Sequence, residues 1–335
     1  IKNVKSVIVP HTNGLKGIEV AAAAGALYGD ADAKLEVLSS ATREQIEELP
    51  EYVQNTNFTV QHIEQGHVFD LEIHVYYEQE HASVRIVDTH TNIVQIEKNW
   101  QVIFEDKTAS LELKADHSAL IMKQIWDFSQ TVDIEDVKEI LDRQIACNMA
   151  IANEGIHNSY GANIGHVILN MDSDCVKTRA KAYAAAGSDA RMNGCELPVV
   201  INSGSGNQGI TCCVPVVVYA KELDCTQKQL YRALVLSNLT AIYIKTGIGT
   251  LSAFCGAVSS GAAAGAGIAY LHNGTYKEIQ HTIVNALAIL SGTICDGAKA
   301  SCAAKIASSV DAGIMGYYMY KNKQQFYAGD GIVAH

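Results

Sequence analysis

The sequence predicts an α+β fold, with an N-terminal α/β domain that contains an antiparallel sheet, followed by an all-α domain. Between residues 57 and 96, apolar residues alternate with polar ones, which is typical of strands that have one solvent-facing side. After Ser118, apolar residues recur at helical spacing and alanine-rich runs begin. We therefore expect an α+β domain over residues 1–125 and an all-helical domain over residues 126–335.

The N-terminal domain is expected to hold two helices as well as the sheet. Thr42 followed by Gln45 has the spacing of a capping box, so the second helix should begin there. Turn-like residues separate the alternating segments. The helices are predicted at 18–27 and 42–49, and the strands at 6–9, 58–63, 68–75, 82–87 and 92–96.

The C-terminal domain is expected to consist of helices. Ser118 can cap a helix over 119–128, and Asp133 or Thr131 can open a long helix whose apolar residues share one face. The segment 251–271 carries no charge and has the length of a membrane span, but its Gly, Ala and Ser content favours a buried central helix. The other helices are predicted at 174–186, 226–245, 276–291 and 298–320.

Composition argues against several classes of protein. The 335 residues are 48% hydrophobic, which is enough for two cores, and the formal charge of −11 argues against a nucleic-acid partner. Nine cysteines in a chain of this length do not indicate a disulfide framework, and they favour a reducing compartment. We therefore expect a cytoplasmic protein with neither nucleic acid nor membrane as a partner.

Three cysteines of the C-terminal third, Cys255, Cys295 and Cys302, are candidate metal ligands. They stand among Gly, Ala and Ser residues, and thiolates are ligands that zinc and iron–sulfur clusters favour. The sequence lacks the C-x2-4-C pair that is common in four-ligand zinc sites. Three ligands would leave one iron of a cluster open to a substrate, as a Lewis acid. On spacing alone, three inert core thiols explain the same residues.

A glycine-rich segment, residues 202–209, is the candidate substrate loop. It contains G-x-G-x-x-G, but a dinucleotide site needs a helix directly after the loop, and Pro215 is expected to break one. Ser205-Gly206-Asn207 also resembles the phosphate loop of pyridoxal-phosphate dehydratases, and a plain turn is a third alternative. We favour a loop whose N–H groups and side chains bind the polar ends of an amino acid. The Schiff-base lysine of the pyridoxal alternative would be sought among Lys177, Lys181 and Lys245.

Three more polar residues have two interpretations each. Arg191 could clamp a substrate carboxylate or pair with Asp189. His90, between two predicted strands, could act as a base or substrate ligand, or be a structural histidine. Lys299, between two candidate cysteines, could offset the charge of a cluster or point to solvent.

Several segments form a distinctive combination: His90-Thr91-Asn92-Ile93-Val94, Ser188-Asp189-Ala190-Arg191-Met192, Asn202-Ser203-Gly204-Ser205-Gly206-Asn207-Gln208-Gly209-Ile210, Ile294-Cys295-Asp296-Gly297-Ala298, Ser301-Cys302-Ala303 and, in outline, Asp330-Gly331-Ile332-Val333. Together they resemble the L-cysteine desulfidase-like family, which is related to the α domain of bacterial iron–sulfur L-serine dehydratases. The resemblance extends over nearly the whole chain.

The resemblance implies an oxygen-sensitive [4Fe–4S] cluster held by Cys255, Cys295 and Cys302. It also implies α,β-elimination from a small L-amino acid, either L-cysteine to pyruvate, ammonia and sulfide or L-serine to pyruvate and ammonia. Apart from this substrate, we expect copies of the chain as partners in a homo-oligomer. The predicted substrate-binding residues are His90, Asn92, Arg191, Asn202, Ser203, Ser205, Asn207 and Gln208.

One departure from the family concerns catalysis. The family carries a Gly-Cys-Thr-Glu-Pro motif in an initial segment, and its cysteine is thought to take part in the reaction. This chain starts at Ile1 and contains no such motif, so we expect a truncated chain and assign no catalytic residue. Pyridoxal-phosphate dehydratase chemistry and a catalytically silent binding or structural fragment are the alternatives.

Overall fold

The computed structural model describes residues 8–64, 67, 69–106, 117–249 and 252–334. They fall into two compact units, one that contains residues 8–106 and one that contains residues 117–334. The predicted α+β class is confirmed, because one four-stranded antiparallel sheet lies in the first unit and the named elements of the second are helices. The predicted domain limits at residues 125 and 126 stay a prediction.

Two helices open the first unit, α1 (Ile18–Tyr28) and α2 (Arg43–Asn55). The predicted capping box is present: Gln45 N donates to Thr42 Oγ1 at 3.3 Å, and Thr42 N donates to Gln45 Oε1 at 2.8 Å. The helix runs beyond its predicted end, through Pro50. Apolar side chains of both helices form a small core with the segment between them.

The sheet consists of β1 (Asp70–Tyr77), β2 (Glu80–Val87), β3 (Ile93–Lys98) and β4 (Gln101–Glu105), hydrogen-bonded in chain order. Its register pairs the first residue of β1 with the last of β2, and bulges interrupt the two later ladders. Arg85 of β2 donates to Asp70 of β1 at 2.8 and 3.0 Å, which fixes this pairing with a two-pronged ion pair.

The strands predicted at 58–63 and 6–9 do not appear among the four strands of the sheet. The predicted strand at 58–63 is wrong: the segment has no strand, and Phe58 instead packs against the core of α1 and α2. Of the strand predicted at 6–9, residues 6 and 7 lie outside the described residues, and Ile8 forms an isolated antiparallel bridge with Lys16. The structure adds β4, which follows a two-residue turn at Asn99 and Trp100, both with positive φ. Such a turn usually contains glycine, so this hairpin has no clear signal in the sequence.

The second unit is built from helices α3 to α11. The helix α9 lies among α7, α8, α10 and α11 and is buried along most of its length, as predicted for the uncharged segment. Within the described residues, no helix is long and apolar enough to cross a membrane. The bounds are α3 Met122–Thr131, α4 Ile134–His157, α5 Ile164–Met171, α6 Val176–Met192, α7 Gly206–Glu222, α8 Gln227–Ile248, α9 Gly256–Leu271, α10 Tyr276–Ile289 and α11 Cys302–Lys321.

Two details of the helical unit correct the sequence predictions, and a third confirms one. The first helix starts at Met122, and its N-cap residue Ile121 provides no side-chain cap, so Ser118 does not open it. Asp133 does cap α4, accepting from Glu135 N at 3.2 Å. The helix α7 continues through Pro215, which was expected to prevent it. Because α7 is buried on nearly all sides, its packing outweighs the penalty of about 3 kcal/mol for an internal proline.

Candidate functional site

The candidate site lies where three helices of the second unit begin. Cys255 is the N-cap residue of α9, Cys302 is the first residue of α11, and Ser205 is the N-cap residue of α7. The first turns of α7 and α9 touch: a Cβ added to Gly256 would lie 2.6 Å from the amide carbon of Gln208. Helix N-termini carry partial positive charge, so this arrangement favours anions and thiolates.

Cys255 and Cys295 lie on paired segments. An isolated antiparallel bridge joins Phe254 and Ile294, with Cys295 N donating to Ala253 O at 2.7 Å and Cys255 N donating to Thr293 O at 3.1 Å. Since successive side chains alternate across such a pair, both cysteines lie on the face opposite Phe254 and Ile294. Phe254 and Ile294 are exposed, whereas Cys255 is buried and Cys295 half-buried.

Cys302 is held close to these segments by a charged clamp. Asp296, which follows Cys295, accepts hydrogen bonds from both Lys299 and Lys305, and these bonds keep the pKa of Asp296 far below its usual range. Lys305 lies one helical turn after Cys302 and also donates to Ile294 O at 3.0 Å. Its ammonium interacts electrostatically with Cys255 and Cys302. Lys299 thus pairs with Asp296. This ion pair differs from both predicted roles of Lys299, which were to offset the charge of a cluster or to point to solvent.

Arg191, on α6, reaches the first turn of α7. Its Nη1 donates to Asn207 Oδ1 at 3.2 Å, and its guanidinium fills the space where a Cβ at Gly206 would stand. In the described part of the chain, no Asp or Glu forms an ion pair with it, and its other hydrogen-bond partner is Met192 Sδ at 3.9 Å. Burial lowers the pKa of Arg191, and the proximity of Cys302 opposes that effect.

The alternative partner of Arg191, Asp189, faces elsewhere. Its Oδ2 accepts from Ile164 N at 2.6 Å and from Gly165 N at 3.4 Å, so it caps α5. Burial raises the pKa of Asp189 to about 6, against the opposing effect of those backbone donors. Residues two apart on a helix do not share a face. The pairing of Asp189 with Arg191 is therefore not formed.

The loop before α7 is a tight turn. Ser203 and Gly204 both have positive φ, and Asn202 and Ser205 exchange backbone hydrogen bonds of 3.0 and 3.1 Å. Ser205 Oγ accepts from Gln208 N at 3.4 Å, as an N-cap residue does. Asn202 is buried, and its Oδ1 accepts from Ser203 Oγ at 2.8 Å. Four of the predicted substrate residues therefore have structural roles in shaping this loop.

A network of buried amides fixes the loop to α4 and α8. Gln144 and Asn238 exchange two hydrogen bonds of 2.9 and 2.8 Å, and Asn202 Nδ2 donates to Asn238 Oδ1 at 3.0 Å. Asn148, without solvent exposure, donates to Val200 O at 3.1 Å and accepts from Val200 N at 2.9 Å. Gln144, Asn148 and Asn238 have no signal in the sequence, because amides inside a helix have no distinctive spacing.

The two remaining predicted residues, His90 and Asn92, belong to the first unit, between β2 and β3. Asn92 Nδ2 donates to Val87 O at 3.1 Å, which closes this turn. The ring of His90 lies 5.1 Å from that of Phe69, centroid to centroid. The structure thus gives Asn92 a local structural role, and the substrate role of both residues stays a prediction.

The competing cofactor sites receive little support. The segment before the glycine-rich loop forms no strand, which a dinucleotide fold requires. Lys177 lies 3.0 Å from Asp311, and Lys181 lies between Asp172 and Asp311 at 3.0 and 3.2 Å. The pKa of Lys181 is raised by these carboxylates against the effect of burial, so its amine stays protonated. A protonated, paired lysine is a poor Schiff-base nucleophile.

The cysteines fit an iron–sulfur cluster in donor type and in neighbourhood. Burial is the main effect that raises the pKa of Cys255, and the proximity of Cys295 and Cys302 raises it further. Among the described residues, however, no three His, Cys, Asp or Glu side chains stand close enough to hold a single metal ion. A cluster distributes its thiolates over several irons, so its ligands need not meet at one point.

Comparisons with known proteins point to one family. A family model described as serine dehydratase alpha chain matches residues 32–335. A UPF0597 protein of Desulfitobacterium hafniense is 54% identical over 336 residues, covering 100% of this chain and 78% of the relative. A UPF0597 protein of Lachnoclostridium phytofermentans is 49% identical over 334 residues, covering 99% and 80%. No solved structure matches this chain.

Proposed function

Since the chain belongs to the serine dehydratase alpha chain family, we propose that it catalyses α,β-elimination from a small L-amino acid. L-Serine would lose its α proton and β hydroxyl as water, and the resulting 2-aminoacrylate would hydrolyse to pyruvate and ammonia. L-Cysteine would lose sulfide in place of water and give the same products otherwise.

The observation that carries this proposal is the unpaired charge of Arg191. A partly buried guanidinium without a carboxylate partner in the described residues is poorly compensated, and a substrate carboxylate would supply two well-aligned acceptors. The N-terminus of α7, which Arg191 contacts through Asn207, adds further positive potential at the same place. A small carboxylate is therefore the ligand that this site accommodates best.

The second element of the proposal is a [4Fe–4S] cluster. Cys255, Cys295 and Cys302 would hold it, and Lys305 would offset part of its negative charge. When bound, such a cluster supplies an open iron that acts as a Lewis acid toward the leaving group. The chain's own residues hold and orient the substrate. The base that removes the α proton remains unassigned, as in the sequence analysis.

Iron content and turnover, measured together, test the proposal. After anaerobic purification and reconstitution with iron and sulfide, we expect about four irons and four sulfides per chain, and release of pyruvate from L-cysteine or L-serine. Cys295→Ala should lose both properties. Arg191→Leu should keep the iron and lose pyruvate release, because it removes the carboxylate anchor alone.

Cys175→Ala is the matched control, because Cys175 is an exposed cysteine at the start of α6 and has no part in the proposed site. It should retain both iron and turnover. Absence of iron from the unsubstituted chain, or equal iron in the Cys295→Ala protein, would contradict the cluster. Unchanged turnover in Arg191→Leu would contradict the assignment of the carboxylate site.

A further inference from the structure

We propose that Gln208 accepts a hydrogen bond from the α-ammonium group of the substrate and thereby selects amino acids over carboxylic acids that lack this group. The inference rests on the proposed function, since it assigns a role within the same site. It names the residue that sets the class of substrate.

The side chain of Gln208 is buried but incompletely bonded. It is 7% exposed, and its Oε1 has no donor among the described residues. Nearly all buried polar groups in folded proteins find a partner, so an unpaired carbonyl oxygen calls for a ligand or another explanation. The N-cap hydrogen bond of α7 does not supply a donor for this oxygen, because it joins Ser205 Oγ to the backbone N–H of Gln208 and not to its side chain.

The position of this oxygen fits a zwitterionic ligand. The amide of Gln208 lies against Gly256, next to Cys255, at the start of α9. Its neighbour Asn207 contacts the guanidinium of Arg191 at 3.2 Å. A cation for the carboxylate and an acceptor for the ammonium group therefore lie on or beside the same first turn of α7.

The other amide oxygens of the loop are already occupied. Asn202 Oδ1 accepts from Ser203, and Asn207 Oδ1 accepts from Arg191. Gln208 Oε1 is thus the loop's amide oxygen that is left for an incoming donor in the described structure. An acid without an amino group would leave this buried oxygen unpaired, and such unpaired groups disfavour binding.

Ligand-induced thermal shifts of the reconstituted protein test this role. The probes are L-serine and 3-hydroxypropionate, which differ only in the amino group. The unsubstituted chain should bind L-serine at least about tenfold more tightly. Gln208→Leu should reduce the preference to about twofold or less, whereas Gln208→Glu, which keeps an acceptor, should retain it.

Gln144→Leu is the control for a purely structural effect. Gln144 is equally buried, but its amide is fully paired with Asn238. The Gln144→Leu substitution should therefore lower the melting temperature. In the absence of ligand, Gln208→Leu should leave the melting temperature unchanged or raise it. A Gln208→Leu protein that retains the preference overturns the inference while the proposed function stands. Failure of the unsubstituted chain to bind L-serine and L-cysteine alike overturns both.

Discussion

Asp189 and Arg191 lie two positions apart on α6 and meet opposite surroundings. Asp189 faces the start of α5, where backbone N–H groups bind it, and Arg191 faces the start of α7, where no described carboxylate compensates it. Helical geometry separates the two side chains although they are close in sequence. The carboxyl group of Asp189 is therefore a structural cap, and the guanidinium of Arg191 is free to bind a ligand.

The buried carboxyl of Asp189 makes stability depend on pH. Its pKa is raised from 3.8 to about 6, because burial disfavours the charged form. The folded state thus holds this proton more tightly than the unfolded state, and its contribution to stability, about 3 kcal/mol, is present below about pH 4 and lost as pH rises through about 6.

Asp189→Asn should remove this dependence, because the amide oxygen can still accept from Ile164 N and Gly165 N but cannot ionise. We expect the variant to be similar to the unsubstituted chain near pH 4 and more stable above about pH 6. Thermal unfolding followed by circular dichroism across this range measures the difference. A constant difference at all pH values would show that Asp189 does not titrate as described.

At the scale of helices, close approach explains the small residues of α9. A Cβ added to Gly261 would overlap Ser309 O of α11, and one added to Gly313 would overlap Gly261 O. The two helices therefore pack backbone to backbone. Since Cys255 and Cys302 start these same helices, their packing also sets the distance between two candidate ligands.

Gly261→Ala should push α9 and α11 apart. We expect a loss of stability of about 3 kcal/mol, together with reduced iron incorporation. Gly247→Ala in α8 is the matched control, since its Cβ would meet nothing within 4 Å. It should stabilise the protein by about 0.5–1 kcal/mol through helix propensity. Equal melting temperatures for the two variants would contradict the close packing.

At the scale of the molecule, each unit has its own core. In the part of the chain that the structure describes, the clusters of the helical unit contain residues between 120 and 317. The described cluster of the first unit contains residues between 9 and 58. The helices of each unit therefore bury apolar surface against elements of their own unit.

Expression of residues 117–335 alone should consequently give a folded helical protein. We expect a helical circular dichroism spectrum and one cooperative thermal transition, because the apolar clusters of the unit are complete without the sheet. Gradual unfolding with strong binding of a hydrophobic dye would show that the core needs the first unit.

Local signals in the sequence predicted much of this molecule correctly. Capping pairs such as Thr42 with Gln45 depend on contacts within one turn, and the alternation in β1 to β3 depends on the two faces of a strand. Both are readable from neighbouring residues. The family resemblance likewise rested on short motifs, and the family match over residues 32–335 confirms the relation to serine dehydratases.

Only the tertiary structure decided which distant residues meet. The sequence alone determined the α+β class, the helix caps at Thr42 and Asp133, and the choice of candidate cysteines. It could not show that Pro215 lies inside α7, that Asp296 joins Lys299 to Lys305, or that Arg191 lacks a carboxylate partner in the described structure. These features depend on packing between segments far apart in the chain, and packing can override local preference because it buries many side chains at once.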